Sequence, residues 1–159
     1  MTEIRRIDLN KPRELEEAFA MVNRVFLEFV APDYSPEGVA EFLRFFEPEL
    51  AREALVADER QMWVAIVDGS VVGAIALRSM NHICLFFVDS AFHHQGIGHA
   101  LYVAARDHLR AIGREFVSVY SSRYAVQVYE RLGFIQVSDE VLVRGMYCTP
   151  MCAYIFQPA

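Results

Sequence analysis

Residues 92–101 read FHHQGIGHAL. Just upstream, HICLFFV (82–88) has the β-branched and aromatic content of a strand. Downstream, apolar residues recur at helical spacing as far as Ile112, where Gly113 marks a stop. Gly96 and Gly98 therefore stand where a strand hands over to a helix. The first N–H groups of that helix have no intrahelical acceptor, and the macrodipole adds positive potential among them. Such a turn suits an anion that approaches the backbone closely. The same glycines also suit a plain strand-to-helix turn, so neighbouring residues must decide between the two. Two nucleotide-binding readings fail at once: no Gly-Lys-Ser/Thr follows, and no third glycine completes a dinucleotide fingerprint after Gly98.

Working outward, the spacing predicts a first strand over residues 3–9. A helix follows, capped by Asn10 with Pro12 in its first turn and with Leu15, Phe19, Val22, Phe26 and Phe29 along a core-facing stripe. SPEGVAEFLRFF (35–46) repeats the pattern, with Ser35 as cap, Pro36 at the first helical position and Val39, Phe42, Leu43 and Phe46 on one side. The period then changes. QMWVAIV (61–67), the turn Asp68-Gly69 and VVGAIALRSM (71–80) predict a β-hairpin, because Asp-Gly supplies positive φ between two β-rich runs. EFVSVYS (115–121) reads as a strand and residues 123–132 as a helix stopped by Gly133. The tail alternates enough for two strands around Arg144-Gly145, with Pro150 at an edge or a bulge. The expected order is βααβββαβαββ, an α/β fold with helices on both faces of the sheet, in one domain spanning residues 1–159.

Composition narrows the function. Hydrophobic residues make up 54% of the 159, enough for a packed interior, and the net charge of −6 argues against a general nucleic-acid binder, which needs clustered Lys and Arg. A cationic partner suits that charge better. Cys84, Cys148 and Cys152 lack metal-ligand spacing and make an odd number, as expected of reduced thiols in a cytoplasmic protein. No apolar run approaches the roughly 18 residues that span a bilayer, so no membrane is expected, and the histidines lack a partner cluster at ligand spacing, so no bound metal is expected either.

Two stretches carry a family resemblance. FFVDSAFHHQGIGHAL (86–101) resembles the acyl-CoA signature of the GNAT N-acetyltransferase superfamily: Arg or Gln, two residues, Gly, any residue, Gly or Ala. In that family a valine eight residues before the first glycine lies on a strand whose backbone carries pantetheine, and Val88 has that spacing from Gly96. SSRYAVQVYERLGF (121–134) is similar to the family's downstream helix, with Ala125, Tyr129, Gly133 and Phe134 in matching places. His93 departs from the usual Arg or Gln, and Ser122 from a frequent Asn. Since backbone N–H groups hold most of the pyrophosphate in this motif, the change at 93 costs less than a lost glycine, and Ser122 keeps a hydroxyl for the cofactor. The resemblance implies a mixed, largely antiparallel sheet and acetyl-CoA as co-substrate without a metal. It implies contacts to acetyl-CoA from Phe86, Phe87, Val88, His94, Gln95, Gly96, Ile97, Gly98, His99 and Ser122.

Transfer of an acetyl group to an amine needs a neutral amine, a polarised thioester carbonyl and a proton for the leaving thiolate. The resemblance assigns that proton to Tyr129, whose ordinary pKa of about 10 keeps it protonated at neutral pH. It places carbonyl polarisation on a backbone N–H around Phe87 and Val88, where the family strand bulges. His82 lies six residues before Val88, on the same face if the strand is regular, and some family members carry a basic carboxylate at that offset. It is the candidate base, with Asp89 a weaker one and a small neutral fraction of the amine a further possibility. Glu28, Asp33, Tyr34 and Glu37, between the first two helices, are candidates to attract a cationic acceptor, with Glu28 and Tyr34 foremost. Cys84 lies mid-strand without an activating base and reads as core rather than as an acyl carrier. The expected activity is direct acetyl transfer to a primary amine, small or peptide-borne, in a ternary complex. The alternative is a catalytically inactive acyl-CoA-binding regulatory or interaction protein. The C-terminal strands offer edges for a homodimer.

Overall fold

A computed structural model describes residues 1–156. In chain order its elements are β1 (Thr2–Arg6), α1 (Pro12–Val25), α2 (Pro36–Phe45), α3 (Pro48–Val56), β2 (Arg60–Val67), β3 (Ser70–Arg78), β4 (His82–Val88), α4 (Ile97–Ala111), β5 (Phe116–Ser121), α5 (Val126–Arg131), β6 (Ile135–Gln136), β7 (Val141–Val143) and β8 (Met146–Tyr154). The strands run β1-β2-β3-β4-β5-β8-β6, with β7 also pairing β8. Every neighbouring pair is antiparallel except β4 and β5.

The β2–β3 hairpin turns at Asp68-Gly69, both with positive φ, as the Asp-Gly signal requires. Its alternation then sorts the core into two layers. Met62, Val64, Ala74 and Leu85 meet Leu15, Phe19 and Val22 of α1 on one face, while Trp63, Ile75 and Ile83 meet Ile97, Leu101 and Leu109 of α4 on the other. Each such large apolar side chain contributes about 1.5–3 kcal/mol by leaving water, which is why the two helical stripes determine the architecture.

Four local readings are corrected. The N-cap of α1 is Lys11, not Asn10, whose N–H instead donates to Asp8 Oδ1 at 3.0 Å. Glu14 compensates from the first turn, accepting from Asp8 N–H at 2.6 Å and from both terminal nitrogens of Arg5. α3 and β6 were not expected. α3 is a short helix opened by Pro48 at its first position and seated on the core by Ala51 and Leu55. β6 is two residues long, too short for alternation to register. Pro150 sits inside β8 opposite Tyr120, neither on an edge strand nor at a bulge. Its carbonyl accepts from Val137 N–H, so its missing N–H lies on the β6 flank, where pairing is brief.

Past Val25 the first helix widens into a single π turn, Phe26–Val30, closed by Ala31 N–H donating to Phe26 O. A 3₁₀ turn, Ala31–Asp33, then leads to Ser35, whose Oγ accepts from Gly38 N–H at 3.2 Å as the expected cap of α2. Phe29, within this wider turn, packs against the edge of the α1 core and is half-buried. No helix among the described residues is long and apolar enough to cross a membrane.

Candidate active site

β4 is flanked unequally. β3 pairs with it as far as Val88, whereas β5 pairs only at His82↔Ser118 and Ile83↔Val119. Beyond Ile83 the two parallel strands separate, leaving a gap that opens toward their C-terminal ends. Asp89 N–H donates to Val72 O at 2.8 Å. Because successive residues of a strand present their backbone groups to alternate flanks, Phe87 faces β3 while the amides of Phe86 and Val88 face the gap. A backbone donor for a substrate carbonyl is therefore available from Val88, and the N–H of Phe87 is committed to the sheet.

The strand's irregularity lies elsewhere than expected. Ala76 pairs with Leu85 and Leu77 with Ile83, so Cys84 is the extra residue of a bulge. This reverses the parity on which a shared face for His82 and Val88 depended. Val88 and Phe86 pack toward α4 and α5, and so does Ile83, which puts His82 on the α1 side. His82 occupies the last rung but one before the strands part. Its Nδ1 lies 2.8 Å from Ser118 Oγ and its ring 4.7 Å from that of Tyr120. Burial, with Arg78 nearby, lowers its pKa to about 4, so the ring is neutral at neutral pH. Burial pushes the Cys84 thiol up to about 11, which keeps it protonated and unreactive.

On the α4 face, α4 starts directly over the end of β4. Gly96, its N-cap, has φ +79°, a conformation that side-chain-bearing residues resist. No side chain caps this end, and the first-turn amides of Ile97, Gly98 and His99 have no intrahelical acceptor. Ile97 turns its side chain into the core. Gly98 lies over Phe86 and Val88, with 3.7–3.8 Å between their side chains and the place a Cβ would occupy. His94, at φ +62°, Gln95 and His99 are exposed around this turn. Tyr129 of α5 reaches across the same face, its ring 5.9 Å from Phe86 and 5.2 Å from Phe134. Burial raises its pKa above the ordinary phenol value, so it remains a donor throughout the neutral range. Ser122 Oγ accepts from Ala125 N–H at 3.3 Å, which starts the turn into α5.

The opposite face of the gap is aromatic. His93, at the place of the family's Arg or Gln, donates from Nε2 to Val88 O at 2.7 Å. Its ring stands 5.6 Å from that of Phe29, which stacks on Tyr124 at 5.0 Å. Phe29 thus touches a residue following β4 and a residue following β5. The periodicity of α1 counted Phe29 with the core, and nothing in the sequence marked Tyr124. Pro32, three residues after Phe29, was the one available sign that the helix ends there. Asp89, considered as a base, is tied to Arg24 at 2.6 Å and accepts from Ala91 N–H. Glu28, Asp33 and Glu37 are exposed. Tyr34 is half-buried against Phe26, with ring centroids 5.7 Å apart, and burial raises its pKa.

A family model described as an acetyltransferase (GNAT) domain matches residues 30–154. The chain belongs to the GNAT acetyltransferases. Solved structures agree in fold. A PaiA N-acetyltransferase from Thermoplasma acidophilum, in complex with coenzyme A, superposes with TM-score 0.79 at 16% identity, covering 97% of this chain and 99% of that one. A GCN5-related N-acetyltransferase from Rhodopseudomonas palustris gives 0.78 at 20% identity, covering 97% and 96%. An aminoglycoside 6′-N-acetyltransferase from Enterococcus faecium gives 0.69 at 14% identity, covering 99% of each chain. No curated protein matches the sequence. As a GNAT member the chain is an acyltransferase, and its mixed, largely antiparallel sheet is the GNAT architecture.

Proposed function

We propose that this GNAT protein transfers an acetyl group from acetyl-CoA to a primary amine directly, within a ternary complex. The observation that carries the reading is the separation of β4 from β5 after Ile83, which frees the Val88 amide beside the uncapped start of α4. In this reading the amides of Ile97, Gly98 and His99 bind the diphosphate, with His94, Gln95 and Gly96 shaping the turn. Phe86, Val88 and Ser122 contact the pantetheine arm. Phe87 contributes by fixing β4 to β3. Val88 N–H donates to the thioester oxygen and stabilises the charge that grows there during attack.

The amine enters from the α1 side. Its lone pair forms the new C–N bond as the C–S bond breaks. Tyr129 O–H gives its proton to the departing sulfur and recovers one from solvent. Nδ1 of His82 donates to Ser118 Oγ, but the ring stands at the other end of β4 from Val88, roughly 15–20 Å away at about 3.3 Å per residue. The proton lost by nitrogen therefore passes to water in the gap rather than directly to His82. A ring with a pKa of about 4 cannot hold a proton taken from a free ammonium group. The reaction therefore draws on the neutral fraction of the amine, and kcat/KM rises with pH toward the amine's own pKa, without an inflection near 6.5 from His82.

The test is CoA thiol release from acetyl-CoA across small amines, amino acids and peptide N-termini, with Tyr129→Phe alongside. Release with one amine class, falling at least about tenfold in Tyr129→Phe while acetyl-CoA affinity holds, supports the mechanism. Acetyl-CoA binding without transfer to any amine favours an inactive binding protein. Absence of binding removes the role given to the α4 turn.

A further inference from the structure

The side of the gap opposite α4 is closed by one contact chain: Tyr124 on Phe29, Phe29 on His93, and His93 on the carbonyl of Val88. Phe29 lies within the π turn that ends α1 and packs against the edge of the α1 core while reaching His93 and Tyr124, and π turns inside α-helices recur at functional sites. Tyr124 keeps 44% of its surface exposed although its ring is stacked, so one aromatic side remains presented to solvent at the mouth of the gap.

Two of the carboxylates nearby are already matched, while Glu28 and Asp33 stay exposed. Asp89 is bound by Arg24, and Glu140 accepts from Arg123 at 2.7 and 2.8 Å, while Arg123 also lies over the ring of Tyr147 at 3.8 Å. A ligand bearing several ammonium groups would meet two arginines there and find these two carboxylates taken. A ligand with one amine and a flat or apolar body would meet ring faces. We propose that Phe29 and Tyr124 form the acceptor wall of the gap and select a primary amine carried on an aromatic or extended apolar body over a polycationic aminosugar. This rests on the transferase reading above and adds the acceptor class to it. It also separates this chain from the acceptor named for the E. faecium aminoglycoside enzyme, whose fold it shares.

The experiment compares 2-phenylethylamine, ethanolamine and kanamycin as acceptors at fixed acetyl-CoA. The expected result is a kcat/KM for 2-phenylethylamine at least about tenfold above ethanolamine, equivalent to about 1.4 kcal/mol, with kanamycin lowest. Tyr124→Ala and the gentler Phe29→Leu raise KM for 2-phenylethylamine by about tenfold and leave KM for acetyl-CoA within about twofold. Kanamycin or ethanolamine used as well as the aryl amine, or variants that weaken both substrates equally, overturns the proposal. Binding supplies a readout independent of turnover: 2-phenylethylamine should shift the ring resonances of Phe29 and Tyr124 in a titration with CoA present. Should acetyl-CoA raise Tm while no amine reacts, those shifts still support the wall and their absence overturns it. Should acetyl-CoA fail to bind, the transferase reading falls by itself, and the titration continues to report on the wall.

Discussion

Gly96 and Gly98 look interchangeable in the motif but answer to different forces. Gly96 holds φ +79° with open space where a Cβ would project, so its need is conformational. Gly98 lies within the first turn of α4, and a Cβ there would make ordinary contacts with Phe86 and Val88. Gly96→Ala is therefore expected to destabilise the fold by about 1–2 kcal/mol, the cost of a left-handed backbone for an L-residue. Gly98→Ala is expected to stabilise it by about 0.5–1 kcal/mol through helix propensity. Urea denaturation of the two variants checks the opposite signs, and two changes of the same sign would refute the distinction. Tyr129 makes a similar point about context. Its helical spacing alone places it in the core, and it is indeed buried, yet it lies across from Phe86 where β4 and β5 have separated.

At the scale of elements, the segment between α1 and α2 is held from two sides. The start of α2 sits on the β7–β8 turn, with Ser35 N–H donating to Gly145 O at 3.1 Å. A Cβ on Gly38 would collide with that same carbonyl. Gly38→Ala should push the turn away at a cost of about 1–3 kcal/mol, the range for overpacking a filled site. It should also raise the acceptor KM more than the acetyl-CoA KM, because α2 follows the segment bearing Phe29. Thermal melts and initial rates measure both effects, and an unchanged Tm would show that the turn yields freely. The sequence made legible whatever local rules govern: the Asp-Gly hairpin, the Ser35 cap, the stripes of α1 and α4, and the strand-glycine-helix order at 82–112. It could not show the Cys84 bulge, because one extra residue leaves no compositional trace and yet moves His82 to the other face from Val88. Nor could it show the π turn that holds Phe29, because the apolar pattern continues through it. The separation of β4 from β5 is a property of two strands distant in sequence, and it entered only through the family motif.

The whole molecule should lose stability on acidification in two windows. His82 is buried neutral, so its pKa falls from an ordinary 6.5 in the unfolded chain to about 4 in the fold. Between those values the unfolded chain binds the proton that the folded chain refuses, and stability drops as pH falls from about 6.5 toward 4. Glu14 acts lower. Its hydrogen bond to the Arg5 guanidinium, opposed by burial, holds its carboxyl below the usual carboxylate value. Its contribution is complete above the unfolded value near 4.5 and disappears as pH falls through the lower folded one. Melts from pH 7 to 3 should show Tm already declining by about 5 °C between pH 6.5 and 4.5, before carboxylates protonate. His82→Gln should reduce that first decline, leaving the share of His108, whose pKa burial and Arg6 also lower, and should leave the lower one. Glu14→Gln should cost about 1.5–3 kcal/mol at pH 7, the worth of hydrogen bonds to a charged group, and should weaken the lower decline selectively. The two windows are separable because the groups lie three strands apart in the sheet order, Glu14 beside β1 and His82 on the central β4. A first decline of undiminished size in His82→Gln would mean that the His82 ring is not the main group titrating there.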